Sequence, residues 1–181
     1  MRLGGHLKSS DGLTYALMAA RSLGHKCMQI MLGGNTDWKP FDISREAVQN
    51  FKVTSNGIDL YVHLPFVINP CQPGRMRNLA KAAFFKYAAL AQEVTTKAVI
   101  LHPGFKKELT EDEAYDNFLV FFADVLKHDF RFKILLETDA GSKNKSAVGS
   151  LRFIEKAIKD LGDPRVSMCL DTCHLYASGL S

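Results

Sequence analysis

The chain is predicted to be an α/β protein of the (β/α) barrel type, a partial barrel with about six of the eight strand–helix units. Short apolar segments rich in strand formers alternate six times with longer segments of helical periodicity. Such alternation is typical of a parallel sheet covered by helices. Four successive strand candidates also lead to a residue type that binds metal ions. This favours a barrel over an open sheet, because a barrel gathers the carboxyl ends of all its strands around one axis.

Length and composition fit one globular domain. With 181 residues, 46% of them hydrophobic, the chain can bury a full core, and we expect residues 1–181 to form a single domain. The net charge of +4 is weak evidence for a polyanionic partner. Four cysteines without a C-x-x-C pair indicate reduced thiols. No segment resembles a signal peptide or a membrane span, so we expect a cytoplasmic protein without a membrane partner.

The N-terminal half contains three strand–helix units, each with its own boundary signal. Gly24 ends the first helix, the paired glycines of residues 33–34 end the second strand, and Ser44 caps the second helix. The third helix shows alanines and leucines at helical spacing. The predicted strands of this half cover residues 2–7, 27–32 and 58–63, and the predicted helices cover residues 13–23, 44–52 and 76–94.

The C-terminal half repeats this arrangement. Thr110 and the acidic residues after it begin the fourth helix, where negative charge suits the positive end of the helix dipole. Gly162 ends the fifth helix. The last strand leads to Asp171, and a short turn then leads to His174. The predicted strands of this half cover residues 97–102, 132–137 and 165–170, and the predicted helices cover residues 110–126 and 147–161.

Alternation within the strands predicts which side chains face the barrel axis. Stepping back by two from each metal-binding residue type gives Tyr61, Ile100, Leu135 and Cys169 as the layer below. The residues of the other parity are apolar and suit packing under helices. Cys169 is therefore predicted to be a core thiol and not a metal ligand.

Candidate metal ligands stand at the ends of four successive predicted strands. They are His63, His102, Glu137 and Asp171, separated by 39, 35 and 34 residues, and His174 follows three residues after the last of them. Each interval fits one strand, one helix and two loops, so the side chains should point into one space. Imidazole and carboxylate ligands without thiolate suit a catalytic zinc or manganese site. A carboxylate such as Glu137 can bridge two cations, a device for displacing oxygen at phosphorus.

The other histidines receive different interpretations. His25 and His128 do not stand at strand ends, so we expect structural roles for them. His6 ends the first strand, and both a structural role and a role in orienting a ligand or a substrate stay open.

Basic and aromatic residues follow the strands that carry the candidate ligands. Positive charge around the metal end would suit a phosphate backbone. An aromatic ring there could stack on a base, as predicted for Phe66, whereas Trp38 is expected mainly to anchor its own loop. The basic residues are Arg75, Arg77, Lys106, Lys107, Lys143 and Lys145.

Four motifs resemble those of the endonuclease IV family of apurinic/apyrimidinic endonucleases, within the xylose isomerase-like TIM barrel superfamily. They are GGHLKSSDGL, LHPGF, LLETDAG and CLDTCHLYASG. The resemblance covers the whole chain. It implies a metal-dependent endodeoxyribonuclease of base excision repair that hydrolyses the phosphodiester 5′ to an abasic site and leaves a 3′-hydroxyl. Its partner would be double-stranded DNA, from which the damaged nucleotide is flipped out.

The resemblance also implies roles for individual residues. The family holds up to three zinc ions, with fewer expected here and manganese as a second choice of metal. His63 and His102 resemble ligands of the first zinc, and Glu137 resembles the bridging, catalytic carboxylate. Asp171 resembles a ligand of the second zinc, and His174 resembles a ligand of the third. The residues that match the metal ligands are His63, His102, Glu137, Asp171 and His174. The residues expected at the DNA are Asn35, Phe66, Lys106 and Lys143.

The chain also departs from the family. Thr36 and Asp37 stand where the family inserts an arginine into the helix, and Phe66 stands where a tyrosine is usual. The chain stops at Ser181, before counterparts of two further histidines and two carboxylates. A complete barrel needs about 250 residues. A truncated gene product, or one half of a split protein completed by a second chain, is therefore expected.

Two other functions stay open at this point. One is a sugar isomerase or epimerase on the same scaffold, in which one divalent metal binds a polyol. The other is a non-catalytic remnant that binds metal or DNA weakly because its site is incomplete.

Overall fold

Six parallel strands and six helices alternate along residues 1–140 and 148–179, the residues that the computed structural model describes. The strands are Gly4–His6 (β1), Cys27–Met31 (β2), Asp59–His63 (β3), Ala98–Leu101 (β4), Lys133–Glu137 (β5) and Val166–Cys169 (β6). The helices are Leu13–Ser22 (α1), Arg45–Thr54 (α2), Gly74–Glu93 (α3), Glu111–Val125 (α4), Leu151–Leu161 (α5) and Thr172–Ala177 (α6). Among the described residues, no helix has both the length and the apolar content that crossing a bilayer requires.

The strand order confirms the predicted barrel type. Each strand pairs in parallel with the next one along the chain, in the order β1 to β6. A doubly wound sheet would reverse its order at a switch point, whereas a barrel follows the chain in sequence. Within residues 1–140 and 148–179, β1 and β6 each have a neighbour on one side only. The sheet is therefore a partial barrel of six strands.

Capping residues set the starts of the helices. The side chain of Ser44 accepts a hydrogen bond from the backbone of Ala47, and Thr110 and Glu113 form a reciprocal capping box. Helix α5 starts at Leu151, later than the predicted residue 147, because Ser150 is its cap. The two residues before Ser150 lie outside the helix, since their backbones bond to Gly104 in the loop after β4 and to Asp139 earlier in their own loop.

Helix α6 corrects the predicted turn between Asp171 and His174. Asp171 is the N-cap of α6, and its Oδ1 accepts a hydrogen bond from the backbone N–H of His174 at 2.9 Å. The carboxylate therefore ends the last strand segment and begins a helix with the same side chain. With only six residues, α6 is too short to show a helical period in the sequence.

The two faces of the sheet differ in burial. Side chains of the helix-facing parity, such as Val62, Val99 and Leu136, are fully buried in the core. On the axis-facing side, Ile100 is buried, but Tyr61, Leu135 and Cys169 are only half-buried. Helices thus cover most of the outer face, although Met168 on the edge strand β6 is only partly buried, and the inner face is partly open to solvent.

Candidate metal centre

Three buried side chains meet where adjacent strands end. His63 is the last residue of β3, His102 directly follows β4, and Glu137 is the last residue of β5. They are only 7%, 6% and 6% exposed. Oε2 of Glu137 lies 3.2 Å from Nε2 of His63, and Oε1 lies 3.9 Å from Nε2 of His102. These three residues are called the first group below.

The same carboxylate belongs to a second group, formed with Asp171 and His174. Oε1 of Glu137 lies 3.5 Å from Nδ1 of His174, and Oδ2 of Asp171 lies 3.5 Å from the same nitrogen. In each group, ligand-type atoms of the three residues lie within 4.8 Å of one another. The structure thus brings together all five side chains that the sequence predicted as metal ligands, with Glu137 between the two groups.

The hydrogen bonds of His63 indicate that a cation belongs in the first group. Its Nδ1 lies 2.8 Å from the carbonyl oxygen of Leu64, which can only accept, so Nδ1 carries the proton. In the neutral ring, Nε2 then presents a lone pair to a buried carboxylate oxygen 3.2 Å away. Two facing acceptors are unfavourable unless a cation lies between them, either a metal ion or a second imidazole proton. The donor set fits zinc or manganese.

His102 has a further acidic neighbour that sequence reasoning missed. Its Nδ1 is buried, has no hydrogen-bond partner among residues 1–140 and 148–179, and lies 3.7 Å from Oδ2 of Asp139. The backbone N–H of Asp139 donates to the carbonyl of Gly149, which fixes this part of the chain. A carboxylate beside a ligand imidazole can orient the ring. In the sequence, Asp139 stands two residues after Glu137, and this position could have identified it as a neighbour of the candidate ligands.

Two groups at the site, the carboxyl of Asp171 and the thiol of Cys169, have pKa values shifted in opposite directions. Burial alone would raise the pKa of Asp171, but the backbone N–H and the charge of His174 bring it below its ordinary value. Burial and the charges of Glu137 and Asp171 raise the pKa of Cys169 to about 11. Cys169 therefore remains a thiol at neutral pH, in agreement with its predicted exclusion from the ligands.

His6 lies beside the first group. Its ring stacks on that of His63 with centroids 6.1 Å apart, and its Nδ1 accepts a hydrogen bond from the amide of Gln29 at 3.0 Å. Burial and the neighbouring His63 lower the pKa of His6. The ring therefore favours its neutral form beside the candidate ligands.

Phe66 covers the two imidazoles of the first group. Its ring is 42% exposed, and its centroid lies 4.9 Å from that of His102 and 6.0 Å from that of His63. The backbone N–H of Phe66 donates to the carbonyl of Asn35 at 2.9 Å, so the loops after β2 and β3 meet here. Trp38 and Met76 border a cavity of about 190 Å³ on the outer side of this ring.

The loops after β3 and β4 are joined by Asn69. Its Oδ1 accepts hydrogen bonds from the backbones of Cys71 and Phe105, and its Nδ2 donates to the carbonyl of Phe105. Gly104 makes this contact possible, because a Cβ atom there would lie 2.2 Å from Oδ1 of Asn69. The residue also has a φ of +116°, which favours glycine.

The predicted basic ring is only partly located at the metal end. Lys106 is half-buried in the loop after β4, and Arg75 is exposed at the start of α3. Arg77 instead donates a hydrogen bond to Asn117 and connects α3 with α4. The predicted Lys143 and Lys145 lie outside the described residues.

The chain is similar to several known proteins. Residues 17–180 match the family model described as xylose isomerase-like TIM barrel. The chain is 27% identical to the probable endonuclease 4 of Ureaplasma parvum, over 98% of this chain and 62% of that protein. It is 27% identical to the probable endonuclease 4 of Mycoplasmopsis synoviae, over 99% of this chain and 66% of that protein. The chain therefore spans slightly less than two thirds of the length of these curated relatives.

Solved structures share the fold. Endonuclease IV from Thermus thermophilus superposes with a TM-score of 0.80 and 24% identity, over 99% of this chain and 66% of that one. A D-psicose 3-epimerase superposes with a TM-score of 0.79 and 12% identity, over 99% and 67%. These comparisons confirm the barrel type and the similarity to endonuclease IV proteins that the motifs predicted. The family match covers most of the chain, which therefore belongs to the xylose isomerase-like TIM barrel family.

Proposed function

We propose that this chain is a metal-dependent phosphodiesterase of the endonuclease IV kind, which cuts DNA 5′ to abasic sites. The observation that carries the proposal is Glu137, a buried carboxylate shared between two groups of ligand-type side chains. Glu137 faces imidazoles on both sides, and this arrangement suits two neighbouring cations. The 27% identity to probable endonucleases 4 supports the same activity.

His63, His102 and Glu137 would hold one cation, and Glu137, Asp171 and His174 would hold another. Bound divalent cations would supply the positive charge that a phosphodiester needs to accept a nucleophile. Zinc is the proposed metal, and manganese suits the same ligand types. The chain's own contribution is orientation, because the bond from His63 to the Leu64 carbonyl leaves Nε2 free for a cation.

The proposed reaction adds water across one P–O bond of the DNA backbone. Water attacks the phosphorus on the 5′ side of the lesion, the P–O3′ bond breaks, and O3′ departs as a hydroxyl after it gains a proton. The products are a 3′-hydroxyl strand and a 5′-phosphate strand. Phe66 would exclude bulk water from the imidazoles that it covers.

Several residues at the rim would hold the DNA. Lys106 would contact the phosphate backbone, and the exposed ring of Phe66 would stack on a base. Asn35 is exposed beside Phe66 and would offer amide hydrogen bonds to the same strand. Lys143 remains a proposal from the sequence alone. The proposed location is the cytoplasm.

The experiment is a nicking assay on a duplex that contains one tetrahydrofuran abasic analogue. At low salt with zinc, the chain should cut on the 5′ side of the analogue, and a strong chelator should stop the reaction. Glu137→Gln should lower both bound zinc and cutting, because it removes the charge that both groups share. His128→Ala is the matched control, because His128 packs against Phe85 far from the candidate ligands.

The same preparations separate the other functions. Incubation with D-fructose tests for a sugar epimerase, which would form an epimer without cutting DNA. A non-catalytic remnant would bind zinc or DNA without either reaction. Equal zinc contents in Glu137→Gln and His128→Ala would contradict the assignment of Glu137.

A further inference from the structure

Thr138 connects the strand that ends in the shared carboxylate with the segment that carries the second group. It follows Glu137 directly and is 0% exposed. Its backbone N–H donates to the carbonyl of Cys169 at 3.0 Å, which extends the pairing of β5 and β6 by one residue. Its side chain and its carbonyl then bond to residues beyond the end of β6.

Two of these bonds act on the candidate ligands. Oγ1 of Thr138 accepts a hydrogen bond from the backbone N–H of Asp171 at 2.9 Å, and the carbonyl oxygen of Thr138 lies 2.8 Å from Nδ1 of His174. Because a carbonyl can only accept, Nδ1 of His174 carries a proton. The ligand atom of the neutral ring would therefore be Nε2, and not the Nδ1 that lies 3.5 Å from the carboxylates of Glu137 and Asp171. One buried residue thus fixes the backbone at Asp171 and the tautomer of His174.

We propose that Thr138 is the positioning residue of the second group, and that its hydroxyl holds Asp171 where its carboxylate can share a cation with Glu137. The inference rests on the proposed metal site. Both paired strands end just before this point, and Asp171 lies on the edge strand's continuation, so no ladder bond holds it from the other side within the described residues. The hydroxyl of Thr138 instead holds Asp171 from the β5 side, where it continues the pairing of β5 and β6 past the last backbone bond.

Thr96 provides a matched control for the loss of a buried hydroxyl. It is 5% exposed, and its Oγ1 lies 2.9 Å and 3.0 Å from the carbonyl oxygens of Leu60 and Ala98. It precedes β4, at the opposite end of the sheet from the candidate ligands. Thr96→Val should therefore remove a comparable hydrogen bond without touching either group.

The experiment measures zinc affinity in Thr138→Val, Thr138→Ser and Thr96→Val, by competition with a chromophoric chelator. Thr138→Val should weaken zinc binding to the second group about tenfold to hundredfold, as expected for residues that orient ligands. Thr138→Ser should restore the affinity to within about threefold, since it keeps the hydroxyl. Thr96→Val should lower the midpoint of unfolding but leave the zinc affinity unchanged.

A double-mutant cycle with Asp171→Asn identifies the group affected. If Thr138 acts through Asp171, Thr138→Val should have little further effect on zinc affinity once that carboxylate is gone. Hydrogen exchange gives an independent measure, because the Asp171 amide of the metal-free protein should exchange at least about tenfold faster in Thr138→Val than in Thr96→Val.

Two results with the variants would overturn the inference. One is a Thr138→Val chain that binds zinc as tightly as the wild type, and the other is an equal loss in Thr96→Val. A wild-type chain that binds zinc at both groups but leaves abasic DNA intact would refute the proposed function alone, and the role of Thr138 would stand. A wild-type chain without zinc at the second group would refute the role of Thr138.

Discussion

The two groups that share Glu137 are built in different ways. His63 and His102 of the first group stand at the ends of strands within the sheet, and they are less than 10% exposed. Asp171 and His174 of the second group stand beyond the edge strand, and their side chains are 33% and 30% exposed. The backbone at His63 is paired with neighbouring strands on both sides, and His102 directly follows a strand that has neighbours on both sides. The second group depends instead on the cap of α6 and on Thr138.

This difference shows that the backbone of the candidate ligands is held in two different ways around the metal end of the barrel. At strand ends inside the sheet, hydrogen bonds to the neighbouring strands hold the backbone, so side-chain hydrogen bonds are not required to position it. A ligand at the sheet edge needs hydrogen bonds from its loop. We therefore expect a cation in the first group to bind more tightly and to exchange more slowly than one in the second.

The largest effect is expected from His63→Asn. The change removes the nearest partner of the buried Glu137 carboxylate, so it should cost about 1–3 kcal/mol of the free energy of unfolding and one bound zinc ion. Urea denaturation and metal analysis measure the two quantities. His25→Asn is the control, because His25 is a half-buried histidine before β2. Unchanged zinc content in His63→Asn would contradict the first group.

A smaller and more selective effect is expected from Asp171→Asn. Asparagine caps a helix as well as aspartate, so the free energy of unfolding should change by no more than about 0.5 kcal/mol. The lost charge should weaken zinc binding to the second group at least about tenfold and leave the first group filled. Calorimetric titration with zinc distinguishes the two binding steps. Equal losses at both steps would show that the groups are not separable.

Asp171→Asn should also change the response to acid. The pKa of Asp171 is lowered in the folded chain, so its carboxylate stabilises the fold above the pKa of unfolded aspartate. That contribution disappears as the pH falls through the lowered value. The metal-free variant should lack this part of the acid sensitivity, which thermal unfolding at several pH values would detect.

The smallest effect on the metal groups is expected from Phe66→Ala. Phe66 covers the imidazoles but offers no ligand atom, so the zinc content should not change. Binding to abasic duplex should weaken by about 1–3 kcal/mol because a stacking ring is lost. Fluorescence anisotropy at constant salt measures this change, with Phe66→Tyr as the control that keeps the ring. A loss of zinc in Phe66→Ala would place the ring inside the metal centre.

The first group could be predicted from the sequence because strand ends repeat with a regular interval. The interval from His63 to His102 and on to Glu137 matches a strand–helix unit, and parallel strands deliver such ends to one edge. The capping residues Ser44 and Thr110 were predictable for the same reason, since their signals are local.

The remaining features depend on contacts that no local pattern encodes. The start of α5 is delayed by backbone bonds to Gly104 in the loop after β4 and to Asp139 at the start of the loop that leads into α5. Arg77 turns to Asn117 on a neighbouring helix, away from the predicted ring of charge. Thr138 fits an ordinary strand end in the sequence, and its bonds across to the edge segment appear only in three dimensions.

The contacts of Asn69 with Gly104 and its neighbour Phe105 join the loop after β3 to the loop after β4. Phe66 lies on the first of these loops and Lys106 on the second. We therefore expect the two loops to move together. A DNA duplex that docks on this rim would meet a surface that is already shaped, and little chain freedom would be lost on contact. Any side chain larger than hydrogen at position 104 would separate the loops, and more conformational freedom would then be lost when the DNA binds.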